Sequence, residues 1–459
     1  MSHQKVLQYF QSHQTQYFQW LRELVSIPSV SLPGFDYSFV ARCGEWVQRL
    51  LIEAGLENVE TISIKDNQRP YIYGEWLNAP GKPTILLYSH YDVQPIGTLE
   101  KWLSPPFELT ERDGRLYGRG SADDKGGFVA ELAAIDAWLK TVGKLPVNIK
   151  ILVEGEEEDG SSCLDEFIVR YKEKIQADAI VIVDAENFDV ETAGLTVSLR
   201  GLMAASVEVR TLRQPVHSGL WGGPLPDAAM ALSKMLSTLV DDQGNIQVPG
   251  INEMVRPMTD EDQQQLRSLS FDENKFRLEA GLLPEVPLIG ESAEVRERMW
   301  FRPKLGINAI QASSRAQAGN IVVETAWAKI GLRTVPDMDG ERAFALIKEH
   351  LERATPFGLK AEIKMLNAGD WWRTKTDHPI FAKMQKALGQ GWGKNAVKIG
   401  CGASIPFVQT FSDALGGAPA LLLGVADPLT LAHSENESVS KDGWNKTVAS
   451  LIQFLGNLA

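Results

Sequence analysis

The chain has 459 residues, too many for one ordinary hydrophobic core, so about two or three domains are expected, two being the simplest division. Apolar residues make up 44% and charged residues 23%, an ordinary globular composition that excludes wholesale disorder. A formal net charge of −13 repels phosphate backbones, which argues against nucleic acid as a partner.

No apolar run reaches the roughly 18 residues needed to cross a bilayer, so no membrane association is expected. The opening residues, Met1 to Lys5, lack a basic segment followed by an apolar one, so no signal peptide is expected. Three cysteines, Cys43, Cys163 and Cys401, are an odd number at wide spacing, which fits a reducing cytoplasm and no disulfide framework.

Along residues 5–26, Leu7, Phe10, Phe18, Leu21 and Val25 recur at helical intervals, and the Pro28 neighbourhood ends the segment. A second amphipathic helix is expected over 37–54, stopped by Gly55. Short apolar runs follow at Thr84 to Tyr88, Val147 to Val153, Ala179 to Val183 and Ala418 to Leu423, each read as a strand. Between the first two, Phe128, Leu132, Ile135 and Leu139 fall on one face of a helix. Near-continuous apolar strands alternating with helices predict an α/β domain whose sheet is covered on both sides.

The middle of the chain has a different pattern. Ala205 to Val209 alternates apolar and polar, predicting a sheet with one wet face. A long polar helical stretch is expected around 260–280, then a strand pair near Ile321–Val323 and Ala328–Leu332, then a helix near Gly340–Ala354. This is read as a smaller α+β module inserted at 194–368 into a domain formed by 1–193 and 369–459.

The polar residues that end the strands carry the chemistry. His90 and Asp92 follow the first strand, Glu154, Glu156, Glu157, Glu158 and Asp159 the second, and Asp184 the third. Ligands of open α/β sheets gather beyond the carboxyl ends of the strands. Asp123 and Asp124 lie in a Gly-rich turn before a helix, and His433 lies past the final strand. Taken singly, these residues have ordinary readings: Asp124 and Asp159 as helix caps or solvated turn residues, the 154–159 cluster as a charged loop. Together, so many carboxylates at one edge would repel one another unless cations neutralised them. Two imidazoles and several carboxylates make a nitrogen–oxygen site suited to zinc, with manganese or cobalt as alternatives. Composition does not choose among the four glutamates.

The segments Ser89 to Pro95, Gly118 to Gly126, Glu154 to Ser161, His217 to Gly219, Trp221 to Gly223 and Ala432 to Glu437 resemble, in order, the M20 family of metallopeptidases. The resemblance is to its dipeptidase branch, which includes carnosinase-like and cysteinylglycine dipeptidases. It implies a zinc-peptidase-like catalytic domain with a mixed central sheet flanked by helices, an inserted α+β lid that also mediates homodimerisation, and two bridged divalent metal ions per chain. Residue by residue, it implies His90 and Asp184 on one metal, Glu158 and His433 on the other, and Asp123 bridging both. Asp92 would orient His90, Glu157 would be the general base, and His217 would stabilise the oxyanion from the partner subunit. Arg333 would clamp a substrate carboxylate, with Asn320 and Ser404 as further substrate contacts. Glu-Glu before Asp-Gly-Ser selects Glu157 and Glu158, supported by the expectation that neighbours in an extended segment face opposite ways. Two departures stand out: Ser89 where the family has Gly, and no proline after Asn320. His378 fits a helix start better than a metal role. The implied activity is hydrolysis of dipeptides or short peptides with a free C-terminal carboxylate, with N-acyl amino acid deacylation or a non-catalytic binding role as alternatives.

Overall fold

The computed structural model describes residues 2–65, 68–402 and 407–459. The chain divides into two compact units. The first contains the chain up to Val197, Thr374–Ile399 and Phe407–Ala459; the second contains Ser198–Arg373 and a short segment beginning at Gly400.

In the first unit the Thr84–His90 strand lies between Asn148–Glu154 and Ala179–Ile182, both parallel to it. Ala420–Leu422 extends the parallel run beyond Ala179–Ile182. On the other side Tyr71–Trp76 pairs antiparallel with Asn148–Glu154, and Glu57–Ile62 pairs antiparallel with Tyr71–Trp76. The sheet is therefore mixed, with a parallel centre. From Thr84–His90 the chain goes first to the neighbour on one side and then to the neighbour on the other, which opens a crevice at the strands' carboxyl ends.

Both faces are covered, as the apolar runs predict. Ile85 and Leu87 join one core cluster with residues of the helices Ser2–Val25, Lys125–Val142, Pro379–Trp392 and Lys441–Asn457. The next side chain, Tyr88, points to the other face, with ring centroids 4.4 Å from Phe407 and 5.4 Å from Phe411. Every residue from Lys125 to Trp138 is buried, so this helix runs inside the unit. The helix Ser38–Ala54 stops at Gly55, whose φ of 98° only glycine adopts readily. His378 caps the Pro379–Trp392 helix, accepting from the Ile380 N–H at 3.3 Å.

The second unit is built on a four-stranded antiparallel sheet in the order Lys304–Gln311, Thr325–Thr334, Gly201–Arg210, Ala361–Gly369. Met203, Ala205, Val207 and Val209 face a core shared with helices Ala228–Leu236 and Gly340–Ala354, which accounts for the alternation seen in the sequence. Two expectations are corrected here. The polar stretch around 260–280 is two helices, Asp260–Ser268 and Glu273–Glu279, because the Asp272 side chain accepts from Lys275 N–H and starts a new helix. Ile321–Val322 pairs with Val216–His217 and not with Thr325–Thr334, both of whose edges are already occupied.

Candidate metal centre

His90 ends its strand and is fully buried. Its Nδ1 lies 3.1 Å from the Asp92 carbonyl oxygen and 3.3 Å from Asp92 Oδ1, which places the ring proton on that side. The other nitrogen, Nε2, faces Asp123 Oδ1 at 3.2 Å, Asp184 Oδ2 at 3.7 Å and Glu157 Oε2 at 4.0 Å. It makes no aligned hydrogen bond despite its burial. A buried imidazole lone pair ringed by three acids is an arrangement that a cation completes.

Asp123 joins this cluster to a second one. Its Oδ2 lies 3.0 Å from His433 Nε2, and His433 Nε2 lies 3.3 Å from Glu158 Oε2. Two groups of side chains at metal-binding spacing result among the described residues: Asp123, Glu158 and His433 in one, His90, Asp184 and Asp124 in the other. Asp124 corrects the sequence reading of it as a cap or solvated turn residue. It stands at the N-cap of Lys125–Val142, but its side chain makes no capping bond. Instead it is buried, and its Oδ2 accepts the His90 backbone N–H at 3.2 Å.

The glutamate-rich loop sorts into two pairs. Glu154 accepts from Tyr88 Oη at 2.6 Å and Tyr71 Oη at 3.3 Å. Glu156 takes Tyr71 Oη at 3.2 Å, Arg69 at 3.2 Å and the Cys163 N–H at 2.8 Å. Both are therefore held within a buried network. Glu157 and Glu158 are left facing the imidazoles. The extended-segment reason for separating them does not hold, because Glu157–Asp159 is a turn of 3-10 helix. The turn forms because Asp92 claims both its leading N–H groups, Glu157 at 3.2 Å and Glu158 at 2.9 Å. Gln94 Nε2 then fixes Glu158 Oε2 at 2.7 Å. Asp159 ends the same turn, partly exposed, and pairs with Arg69 at 2.6 Å.

The electrostatics describe a site short of positive charge. Burial, then the neighbouring Asp123, pushes the Asp184 carboxyl up to about 7. Burial and the nearby Asp92 push Glu154 up to about 8, against the Tyr88 hydrogen bond. Burial raises Glu157 and Glu158 as well, with Glu158 and Asp123 respectively adding repulsion. Burial also acts to raise Asp123, but His433 and His90 more than offset it and hold that carboxyl below its usual range. Carboxylates crowded so closely ionise together only beside cations.

Of the remaining expected site residues, His217, Asn320 and Arg333 belong to the second unit. His217 Nδ1 accepts the N–H groups of Gly219 at 3.1 Å and Leu220 at 3.3 Å. A nitrogen accepting two donors carries no proton, so in the neutral ring the proton sits on Nε2, which is then a donor. Asn320 is exposed, and its carbonyl accepts the Ser218 N–H at 2.9 Å, tying it to the His217 turn. Arg333 lies on Thr325–Thr334 near Arg200, whose guanidinium is pushed down to about 10 by burial and then by the charge of Arg333. Ser404 lies outside the described residues.

Sequence reasoning gave no role to Gln94, Arg119 or Glu437. Buried Glu437 accepts the N–H groups of Gly120, Ala122 and Asp123 at 3.0, 3.0 and 3.1 Å. It stands in the Glu435-Asn436-Glu437 run, where the only available signal was its place beside His433.

Comparison with known proteins yields a family model, described as peptidase family M20/M25/M40, that matches residues 86–457. A cysteinylglycine-S-conjugate dipeptidase of Corynebacterium striatum is 32% identical over 95% of this chain and 94% of that protein. A Beta-Ala-His dipeptidase of Homo sapiens is 30% identical over 96% of this chain and 89% of that protein. Among solved structures, human carnosine dipeptidase 1 superposes with a TM-score of 0.90 at 28% identity, covering 100% of this chain and 99% of that one. The dipeptidase Dug1p of Saccharomyces cerevisiae superposes with a TM-score of 0.89 at 28% identity, with the same coverage.

Proposed function

This chain belongs to peptidase family M20/M25/M40 and is a metal-dependent peptidase, and we propose that it cleaves dipeptides or short peptides with a free C-terminal carboxylate at a two-metal site. The observation that carries the two-metal reading is Asp123, with one carboxylate oxygen 3.2 Å from His90 and the other 3.0 Å from His433. His90 and Asp184 would hold one divalent ion, Glu158 and His433 the other, with Asp123 shared; zinc suits this donor set best. When bound, such ions polarise a carbonyl and bring the pKa of a held water to about 7.

The chain's own residues supply the rest. Glu157, 4.0 Å from His90 Nε2 and not needed as a ligand, takes the proton of the attacking water and delivers it to the leaving amine. Asp92 holds the His90 ring in one tautomer and the Glu157–Asp159 turn in one place. His217 offers Nε2–H to the developing oxyanion, and its two backbone donors favour that tautomer. Arg333 pairs with the substrate carboxylate through its planar fork, with Asn320 and Ser404 as further contacts.

Homodimerisation through the second unit, with His217 acting in the partner's site, and a cytoplasmic location complete the proposal. No helix among the described residues is long and apolar enough to cross a membrane. The test is incubation of zinc-loaded protein with a mixture of dipeptides and N-acyl amino acids, with free amines followed by mass spectrometry. Metal-dependent release from dipeptides is expected. Release from N-acyl amino acids alone would make it a deacylase, and release from neither would leave a binding protein.

A further inference from the structure

We propose that the buried Arg119–Glu437 ion pair is the positioning device of one metal position, that of Asp123, Glu158 and His433, and that its loss weakens this position more than the His90–Asp184 position, which shares only Asp123 with it. The inference rests on the two-metal reading above. Arg119 Nη1 meets Glu437 Oε2 at 2.7 Å, and both side chains are at most 1% exposed. A pair so deeply buried persists only where its remaining lone pairs and protons are satisfied. Here the loops that carry the ligands supply the partners, save for the buried Arg119 Nε–H, which has none among the described residues.

Glu437 spends its remaining capacity on the backbone of the Asp123 loop. Oε2 takes the Gly120 N–H, and Oε1 takes those of Ala122 and Asp123. Arg119 turns its other terminal nitrogen to two carbonyls, Pro95 and Ser434, each at 3.0 Å. Pro95 follows Gln94, the residue that holds Glu158 Oε2. Ser434 follows His433. Asp123 is thus held by the ion pair directly, His433 through its neighbour Ser434, and Glu158 more remotely, through Pro95 and the Gln94 side chain.

The His433 loop needs such support. Leu431, His433 and Asn436 have φ of 57°, 62° and 65°, the left-handed region, which Asn and His enter more readily than most residues but Leu rarely does. Backbone held there persists only where its surroundings fix it. Its other ties lie towards 98–103 and 118: Glu435 accepts the Thr98 N–H at 3.0 Å and pairs with Lys101 at 3.7 Å. Asn436 accepts the Leu103 N–H at 2.8 Å and donates to the Lys101 carbonyl at 2.9 Å. The Glu437 carbonyl accepts the Gly118 N–H at 3.0 Å. The other metal position shares Asp123 with this one, but its own two ligands are anchored elsewhere. His90 ends a central strand, Asp184 follows another, and the His90 ring is set by Asp92.

The test uses full-length protein stripped of metal and titrated with zinc by competition calorimetry, with thermal melts of the stripped forms as a folding control. Glu437→Gln keeps the shape but removes the charge and one acceptor; Arg119→Lys keeps the charge but loses the fork to Pro95 and Ser434. Wild-type protein should take up two ions. Each folded variant should bind one ion about 10–100-fold more weakly, the range for losing a group that orients a ligand, and the other, which shares only Asp123 with it, with a clearly smaller loss. Equal weakening of both ions, unchanged affinities, or failure of both variants to fold would overturn the proposal. A single ion in wild-type protein would instead overturn the two-metal reading beneath it.

Discussion

The Asp92 carboxylate accepts the backbone N–H of Glu158 at 2.9 Å, while its other oxygen lies 3.3 Å from His90 Nδ1. One buried side chain therefore registers a strand end against the turn that carries both candidate glutamates. Asp92→Ala should strand two buried N–H groups and free the His90 ring. We expect zinc affinity to fall about 10–100-fold, measured by chelator competition, with Asp92→Asn intermediate. Unchanged affinity in Asp92→Ala would remove it from the account.

Asp123→Ala takes away the carboxylate that both imidazoles face and leaves the other acids repelling one another. Both ions should be lost or weakened together, as read by elemental analysis after dialysis. One tightly held ion in wild-type protein, unchanged in the variant, would contradict the shared-carboxylate arrangement.

The buried acids make the metal-free protein sensitive to pH. Asp184 near 7 and Glu154 near 8 hold protons in the folded chain that the unfolded chain, with ordinary carboxylates, has already lost. For acids raised on folding, the folded state binds more protons across that window, so stability falls as pH rises. The Tm of stripped protein should drop from about pH 5 to about pH 8, and the gain on adding zinc should grow over the same range. A stripped-protein Tm that rose with pH would refute this.

Much of the first unit was legible because its central strands are unbroken apolar runs and its helices carry a clear period. Glu57–Ile62 and Tyr71–Trp76 escaped notice for a physical reason: the first is an edge strand bearing Glu57 and Glu60 on exposed positions, with no run to read. The strand ends pointed to His90, Asp184 and the glutamate cluster, and a Gly-rich turn before a helix to Asp123, but residue types alone could not separate Glu157 from Glu154 and Glu156. That separation comes from Tyr71, Tyr88 and Arg69, far away in sequence. The role of Glu437 was illegible for the same reason: its partners are backbone N–H groups of Gly120 to Asp123.

If His217 serves the partner's site, its loss and the loss of Glu157 should complement. His217→Ala and Glu157→Gln should each be nearly inactive alone, an oxyanion donor being worth about 10²–10³-fold in kcat. Mixed after reversible dissociation, subunits that pair at random give one intact site in each mixed dimer, so activity should recover to about a quarter of wild type. A mixture that exchanged subunits yet stayed inactive would confine His217 to its own chain's site or exclude it from catalysis.

If Glu157 moves the proton while its neighbours hold the metal, Glu157→Gln separates the two roles. The amide keeps the shape and leaves His90, Asp123, Glu158, Asp184 and His433 untouched. Metal content and kcat on a dipeptide should be measured on the same preparation. The account predicts two ions per chain and a kcat lowered about 10²–10⁴-fold, the range for losing general-base assistance. Two ions with wild-type turnover would contradict it.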